Sequence, residues 1–329
     1  MRAPAFWWTS PPSPAARLLA PLAVLYGCVA KARLAKTGER AALPVLCVGN
    51  FIAGGAGKTP TALFAARALT ARGRHPVFLS RGYGGTLARR KNAPVVVDPA
   101  IHTVRDVGDE PLLLADVAPT VVDPLRPRGA RLCADLGDVI IMDDGMQNPA
   151  LVKDLTLAVM DSRGVGNALC LPAGPLRAPL AAQARIADAL LLIDAGDIAL
   201  HPALRDLPVF HASFSPAAAA AAAVKNQRIL AFSGIGEPAK FYRTLKNCGA
   251  DLVKTVDFPD HHAFRPSEIE SLVAEARALA VPVYTTEKDH VRLSGSAAAA
   301  VRPFPVTLQA ADERAFAECL EGVFAGKNH

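Results

Sequence analysis

The sequence predicts an α/β fold: a domain built on a parallel sheet, then a smaller α/β domain, with an amphipathic helix ahead of both. Three observations carry this. Pro44–Leu69 runs from an apolar segment through a glycine-rich turn and Lys58-Thr59 into a helical pattern. From there to residue 194, short apolar runs alternate with helix-like segments, and continuous rather than alternating runs mark strands buried on both faces. After Pro216 and seven alanines (217–223) the alternation resumes on a smaller scale.

The glycine-rich turn organises the rest. It reads Ile52-Ala53-Gly54-Gly55-Ala56-Gly57-Lys58-Thr59. A turn with so few side chains can point its backbone N–H groups inward, and the following helix N-terminus adds partial positive charge at the same place. Lys58 is then placed to reach the β- and γ-phosphates of ATP, and the Thr59 hydroxyl to sit on Mg²⁺. The domain is therefore read as a P-loop-type parallel sheet domain. The usual P-loop has a glycine five positions before the Gly-Lys pair, which is Ile52 here.

The 329 residues are about half apolar and one-fifth charged, a globular composition with room for two cores. Six scattered cysteines without a CxxC pair argue against a zinc site or a disulfide framework and suit a reducing compartment. Of the net charge of +6, most lies in residues 1–40, where Arg2, Arg17, Lys31, Arg33, Lys36 and Arg40 face Glu39 alone. That is not the basic, aromatic-interleaved surface of a nucleic-acid binder. An apolar run of about thirteen residues between Arg17 and Lys31 is too short to span a bilayer, which needs about twenty. With Trp7, Trp8 and the flanking basic residues it fits a helix lying in the interface of an anionic membrane. A buried helix packed on the first domain fits equally. A cleaved signal peptide is not expected, since it would export the P-loop that follows.

Expected strands are Pro44–Val48, Pro76–Ser80, Pro94–Asp98, Pro119–Asp123, Asp138–Asp143, Leu155–Asp161 and Ala189–Asp194. In such sheets ligands bind at the carboxyl ends of the strands, so the polar residues ending these runs are the ones to examine. In the second set, strands are expected at Arg228–Phe232, Asp251–Phe258, Val281–Thr285 and Pro305–Leu308. Helices are expected at Ser267–Ala280, with Ser267 and Glu270 as a capping box, and at Asp312–Phe324. The domain reading is 1–40, a membrane-interface region; 41–215, the nucleotide-binding domain; and 225–329, the smaller domain.

Beyond the turn, Val139–Gly145 (VIIMDDG) ends a strand in two acids, and Mg²⁺ on ATP wants oxygen ligands, so Asp143 and Asp144 are metal candidates. Ser80-Arg81-Gly82-Tyr83-Gly84-Gly85, with an arginine able to clamp a phosphate, Gly108-Asp109-Glu110-Pro111, the Arg177 turn, Asp260-His261-His262, an Asp-oriented histidine that could act as a base, and Thr285–Asp289 are each weak signals when read alone. Together they are specific. The sequence resembles the tetraacyldisaccharide 4′-kinases, the lipid A 4′-kinases of Gram-negative bacteria. VGNFIAGGAGKTP, SRGYGG, GDEP, DDGMQ, PAGPLR, FSGIGEP, FPDHH and TTEKD occur in family order over roughly residues 44–293.

The resemblance implies ATP-dependent phosphorylation of the 4′-hydroxyl of a tetraacylated glucosamine disaccharide 1-phosphate. It also implies two α/β lobes with the active site between them, and peripheral attachment to the cytoplasmic face of the inner membrane. No obligate protein partner is implied. The family's base falls on Asp109 and the histidine assisting it on His261. The phosphate-loop residues fall on Lys58 and Thr59, the strand-end acids on Asp143 and Asp144, and the arginines near the phosphates on Arg177 and Arg126. Two departures stand out: Ala178 replaces the glutamate after PLR, and DDGFQH becomes DDGMQN. The competing reading is a membrane-associated P-loop ATPase switch or assembly protein. Those carry a lysine just before the glycine pair, where this chain has Ala53.

Overall fold

The computed structural model describes residues 3–55, 57–90 and 93–325. It divides into two compact units: Ala3–Ser213 together with the chain from Leu308 onward, and Phe214–Thr307.

In the larger unit the strands are β1 (Val45–Asn50), β2 (Pro76–Ser80), β3 (Val95–Val96), β4 (Thr120–Val122), β5 (Val139–Asp143), β6 (Leu155–Asp161), β7 (Ala189–Ile193) and β8 (Val209–Pro216). They join one sheet in the order β13-β8-β7-β6-β1-β5-β2-β4-β3, where β13 is Val306–Ala310. The strands from β8 to β4 run parallel, and β3 pairs antiparallel at the edge. Every residue of β1, β2, β5, β6 and β7 is buried, which is why these strands read as unbroken apolar runs. Because β1 lies between β5 and β6, Asn50, Asp143 and Asp161 end three adjacent parallel strands on the same edge.

The smaller unit carries β9 (Arg228–Ser233), β10 (Asp251–Asp257), β11 (Val283–Thr286) and β12 (Val301–Phe304) in a parallel sheet ordered β10-β9-β11-β12. The Phe258 and Phe264 rings meet Phe232 edge-on at 5.9 and 5.4 Å. Helix Pro266–Ala278 buries Ile269, Leu272 and Ala276 against this core. Its capping box differs from the expected Ser267–Glu270. Pro266 fits the first helical position, so the cap falls on Arg265, whose N–H donates to the Glu268 carboxylate at 2.8 Å.

The chain end also differs from expectation. The last helix, Glu313–Glu321, belongs to the larger unit rather than the smaller one. Phe316 is fully buried, stacked on Phe64 at 5.2 Å and edge-on to Phe210 at 5.6 Å. Strand β8 was not expected, because its half-buried pattern breaks the continuous-run signature.

The N-terminal apolar run is the middle of a longer helix, α1 (Pro14–Leu34), of 21 residues. The Ser13 side chain caps its start, Pro14 occupies the first turn, and the helix continues through Lys31 and Arg33. At about 31 Å, α1 is long and apolar enough to cross a membrane by length and composition, with a mean hydropathy of 1.4 over an 18-residue stretch. It is also packed on its own unit. Ala16, Ala23 and Gly27 form a buried stripe, and a side chain at Gly27 would press on Cys170 and Pro179. Leu18, Leu22, Leu25 and Val29 recur on the opposite face and are exposed. The tryptophans are not part of that exposed face: Trp7 Nε1 donates to the Pro172 carbonyl at 3.0 Å.

Candidate nucleotide and phosphoryl-transfer site

Strand β1 delivers the glycine-rich turn to the top of the sheet, and α2 (Lys58–Thr70) leaves it. The first half of the turn needs no glycine, because it is held extended against the Pro172–Arg177 segment. Ala53 N–H donates to Pro175 O, Arg177 N–H to Phe51 O, and Ile52 bridges Leu176. That accounts for Ile52 at a position usually taken by glycine. Left-handed backbone begins at Gly54 (φ 106°) and recurs at Gly57 (φ 84°), the N-cap of α2, where a side chain would be strained. Ala56 lies outside the described residues.

Five side chains converge here. Lys58 Nζ donates to the Gly54 carbonyl at 3.2 Å and lies 3.9 Å from Asp144. Thr59 Oγ1 donates to Asp143 Oδ2 at 2.8 Å. Arg177 donates through Nε to Ile52 O at 2.8 Å and through Nη1 to Asp144 Oδ1 at 2.6 Å. Asp144 sits in left-handed backbone (φ 53°), a conformation costly for a non-glycine residue and frequent at functional sites. Where the family pattern puts a glutamate, Ala178 is fully buried, and the carboxylate facing Arg177 is that of Asp144.

The two acids differ in charge environment. Burial raises Asp143 to about 7, with Glu110 and Asp144 adding to the rise and the Thr59 hydroxyl opposing it. Burial also opposes ionisation of Asp144, but Lys58 and Arg177 outweigh it and hold that carboxyl below its ordinary value. Burial lowers Lys58, against the pull of Asp144. Arg126, at the start of helix Arg126–Cys133, is lowered to about 10 by burial and remains a cation at neutral pH.

Unpartnered buried atoms mark where a ligand belongs. Arg126 is 2% exposed, and its Nε and Nη1 have no hydrogen-bond partner among the described residues. The same holds for Asp143 Oδ1 and Asn50 Oδ1. Since buried polar groups are paired in folded proteins, a cation donor fork, a carboxylate oxygen and an amide oxygen left open beside a P-loop fit a magnesium–phosphate group. Thr59 and Asp143 are the residues suited to hold Mg²⁺, which keeps few protein ligands and several waters.

Asp109 opens helix Asp109–Ala115 and is buried. Gly108 precedes it at φ 93°, packed so close to the Tyr83 carbonyl that a side chain would collide. Glu110, next in line, is near enough to act on both Lys58 and Asp143. His261 belongs to the smaller unit, also in left-handed backbone (φ 56°). Its Nδ1 lies 3.4 Å from Arg292 and its Nε2 3.4 Å from Lys288. Arg292 is in turn fixed on the buried Asp289, which also accepts from Ser233 Oγ, Gly234 N–H and Thr286 Oγ1. The TTEKD stretch therefore supplies the clamp behind His261.

Sequence reading missed Asn50, whose Nδ2 donates to Gly54 O at 3.2 Å, and Gln147, which joins Asn50 O to Gln183 and Arg177. Both sit inside quoted motifs, VGN and DDGMQ, so their position carried a signal.

The model of the tetraacyldisaccharide-1-P 4′-kinase family, LpxK, matches residues 15–325. The chain belongs to this family. A tetraacyldisaccharide 4′-kinase of Methylobacterium sp. (strain 4-46) is 50% identical over 99% of both chains. One from Methylobacterium nodulans is 52% identical over 94% of this chain and 91% of its own. Among solved structures, LpxK from Aquifex aeolicus in complex with ATP superposes with a TM-score of 0.74 at 25% identity, covering 94% of this chain and 99% of that one.

Proposed function

We infer that this chain is an ATP-dependent lipid kinase, transferring the γ-phosphoryl group to the 4′-hydroxyl of a tetraacylated glucosamine disaccharide 1-phosphate. The observation carrying this is the convergence of Lys58, Thr59, Asp143, Asp144 and Arg177 at the carboxyl ends of β1 and β5, in a chain of this family. Lys58, Arg177 and Arg126 are assigned to the phosphate oxygens, where cations neutralise charge in a loose transition state. Thr59 and Asp143 would hold Mg²⁺, which would supply neutralisation of phosphate charge. Asp109 is assigned to orient the acceptor hydroxyl and take its proton as the new O–P bond forms and the bond to the ADP oxygen breaks. His261, set by Arg292 and Lys288, is assigned to assist it.

The acceptor's acyl chains keep it in a bilayer, and the exposed face of α1 is the part of this chain suited to meet one. Apolar surface and basic residues at both ends fit peripheral attachment to an anionic leaflet, on the cytoplasmic face of the inner membrane where ATP is available. Incubation of the full-length protein with γ-labelled ATP and the lipid acceptor tests the reading. Label in the lipid supports a kinase; inorganic phosphate released without labelled lipid favours a nucleotide switch instead.

A further inference from the structure

Among the described residues, carbonyls of the glycine-rich turn accept from side chains. Ile52 O accepts from Arg177, and Gly54 O from Asn50 and Lys58. Gly55 O accepts from Arg163 Nη2, a residue outside the motifs quoted above. Arg163 is itself fixed. Strand β6 ends at the buried Asp161, whose two carboxylate oxygens take the Arg163 Nε and Nη2 at 2.7 to 3.1 Å. Such a fork leaves the guanidinium few orientations.

The far side of Arg163 is covered. Its guanidinium lies 5.1 Å from the Trp8 ring, in cation–π range. The turn Ala5–Trp8 is docked by Trp7 Nε1 on Pro172 O and by Asn167 N–H on Trp7 O at 2.8 Å. At Gly166 an added side chain would strike the Trp7 carbonyl. A line of contacts therefore runs from the turn ahead of α1, through Arg163, to the phosphate loop.

We propose that Arg163 is a positioning residue for ATP binding, holding the Gly54–Gly55 turn open to phosphate, with Trp8 as its cover. Holding the Gly55 carbonyl fixes ψ at Gly55, a residue whose backbone is otherwise free to turn. Neither Gly54 nor Gly55 has packing that would otherwise fix it: a side chain at either would meet nothing within 4 Å. The held carbonyl thus replaces packing as the source of order in the turn.

This rests on the phosphate-loop reading, and the test separates the two. A fluorescent ATP analogue with Mg²⁺ is titrated into full-length parent, Arg163→Ala, Arg163→Lys, Trp8→Ala and Lys58→Ala, with melting temperatures measured alongside. Arg163→Ala is expected to weaken nucleotide binding about tenfold, the loss of one charge-assisted hydrogen bond, with KM for lipid unchanged. Arg163→Lys keeps a donor but not the fork and recovers part of the affinity; Trp8→Ala loses about threefold. Binding within twofold of the parent in Arg163→Ala would overturn the proposal. So would equal weakening toward ATP and lipid with a fallen melting temperature, which marks general destabilisation. Normal binding by Lys58→Ala would instead overturn the phosphate-loop reading beneath it.

Discussion

Replacing Leu18, Leu22 and Leu25 together by glutamine tests the membrane-facing assignment of α1 with little disturbance to the fold. The three side chains are 82%, 57% and 64% exposed, so about two leucines' worth of apolar surface faces solvent on one stripe. At about 2 kcal/mol for each leucine side chain taken fully out of water, that stripe contributes about 4 kcal/mol to partitioning into a bilayer. Its loss lowers the partition coefficient about a thousandfold. Glutamine has nearly the helix propensity of leucine, and the buried stripe of Ala16, Ala23 and Gly27 is untouched, so the melting temperature stays the same. Flotation with anionic vesicles reads the effect directly, and a salt titration separates the contribution of Arg17, Lys31 and Arg33. A triple variant that floats like the parent would refute the reasoning, and would place the helix against something other than lipid.

Four further outcomes follow from the site and the fold. Lys58→Ala is expected to abolish phosphoryl transfer to lipid in a labelled-ATP assay; retained turnover removes the phosphate-loop assignment. Asp109→Ala lowers kcat by about a hundredfold or more while KM for ATP stays close to that of the parent, and near-normal kcat excludes Asp109 from proton transfer. Asp143 is raised to about 7 in the folded protein, against about 3.9 unfolded. The native state therefore binds more protons than the unfolded chain between those values, and stability falls as pH rises through that window. Asp143→Asn melts above the parent at pH 8 in chelator, with the gap closing toward pH 5; a constant gap refutes the assignment. Phe316→Ala costs about 3–5 kcal/mol in denaturant unfolding of the larger unit, and a change below about 1 kcal/mol would deny the last helix its part in that core.

The sequence made the central sheet legible because burial on both faces leaves unbroken apolar runs, as in Leu155–Asp161. It made the site legible because parallel strands end where ligands bind, and Asp143 and Lys58 are adjacent to such ends. What it hid has physical causes. Strand β8 is half-buried and alternates weakly, so its period gave no clean signal. The length of α1 was masked by Arg17 and Lys31, which interrupt an apolar count but not a helix. The return of Phe316 to the first core depends on contacts far apart in the chain, which local pattern does not record. Arg163 was invisible for a different reason: its role is set by a carbonyl across the fold, and no residue type at Gly55 announces it.

The crossing of the chain from one unit to the other and back has a consequence for synthesis. The smaller unit is one uninterrupted stretch, Phe214–Thr307, and has all four strands of its sheet once that stretch has left the ribosome. The larger unit, although it begins first, waits for Leu308 onward before β13 lies beside β8 and Phe316 covers Phe64. A nascent chain stopped near residue 307 thus carries its phosphate loop on a sheet with an open edge and an uncovered aromatic patch, the kind of surface that chaperones hold and that aggregates seed from. Because α1 already exposes Leu18, Leu22, Leu25 and Val29, the last strand and helix keep a second apolar surface from being added to that one.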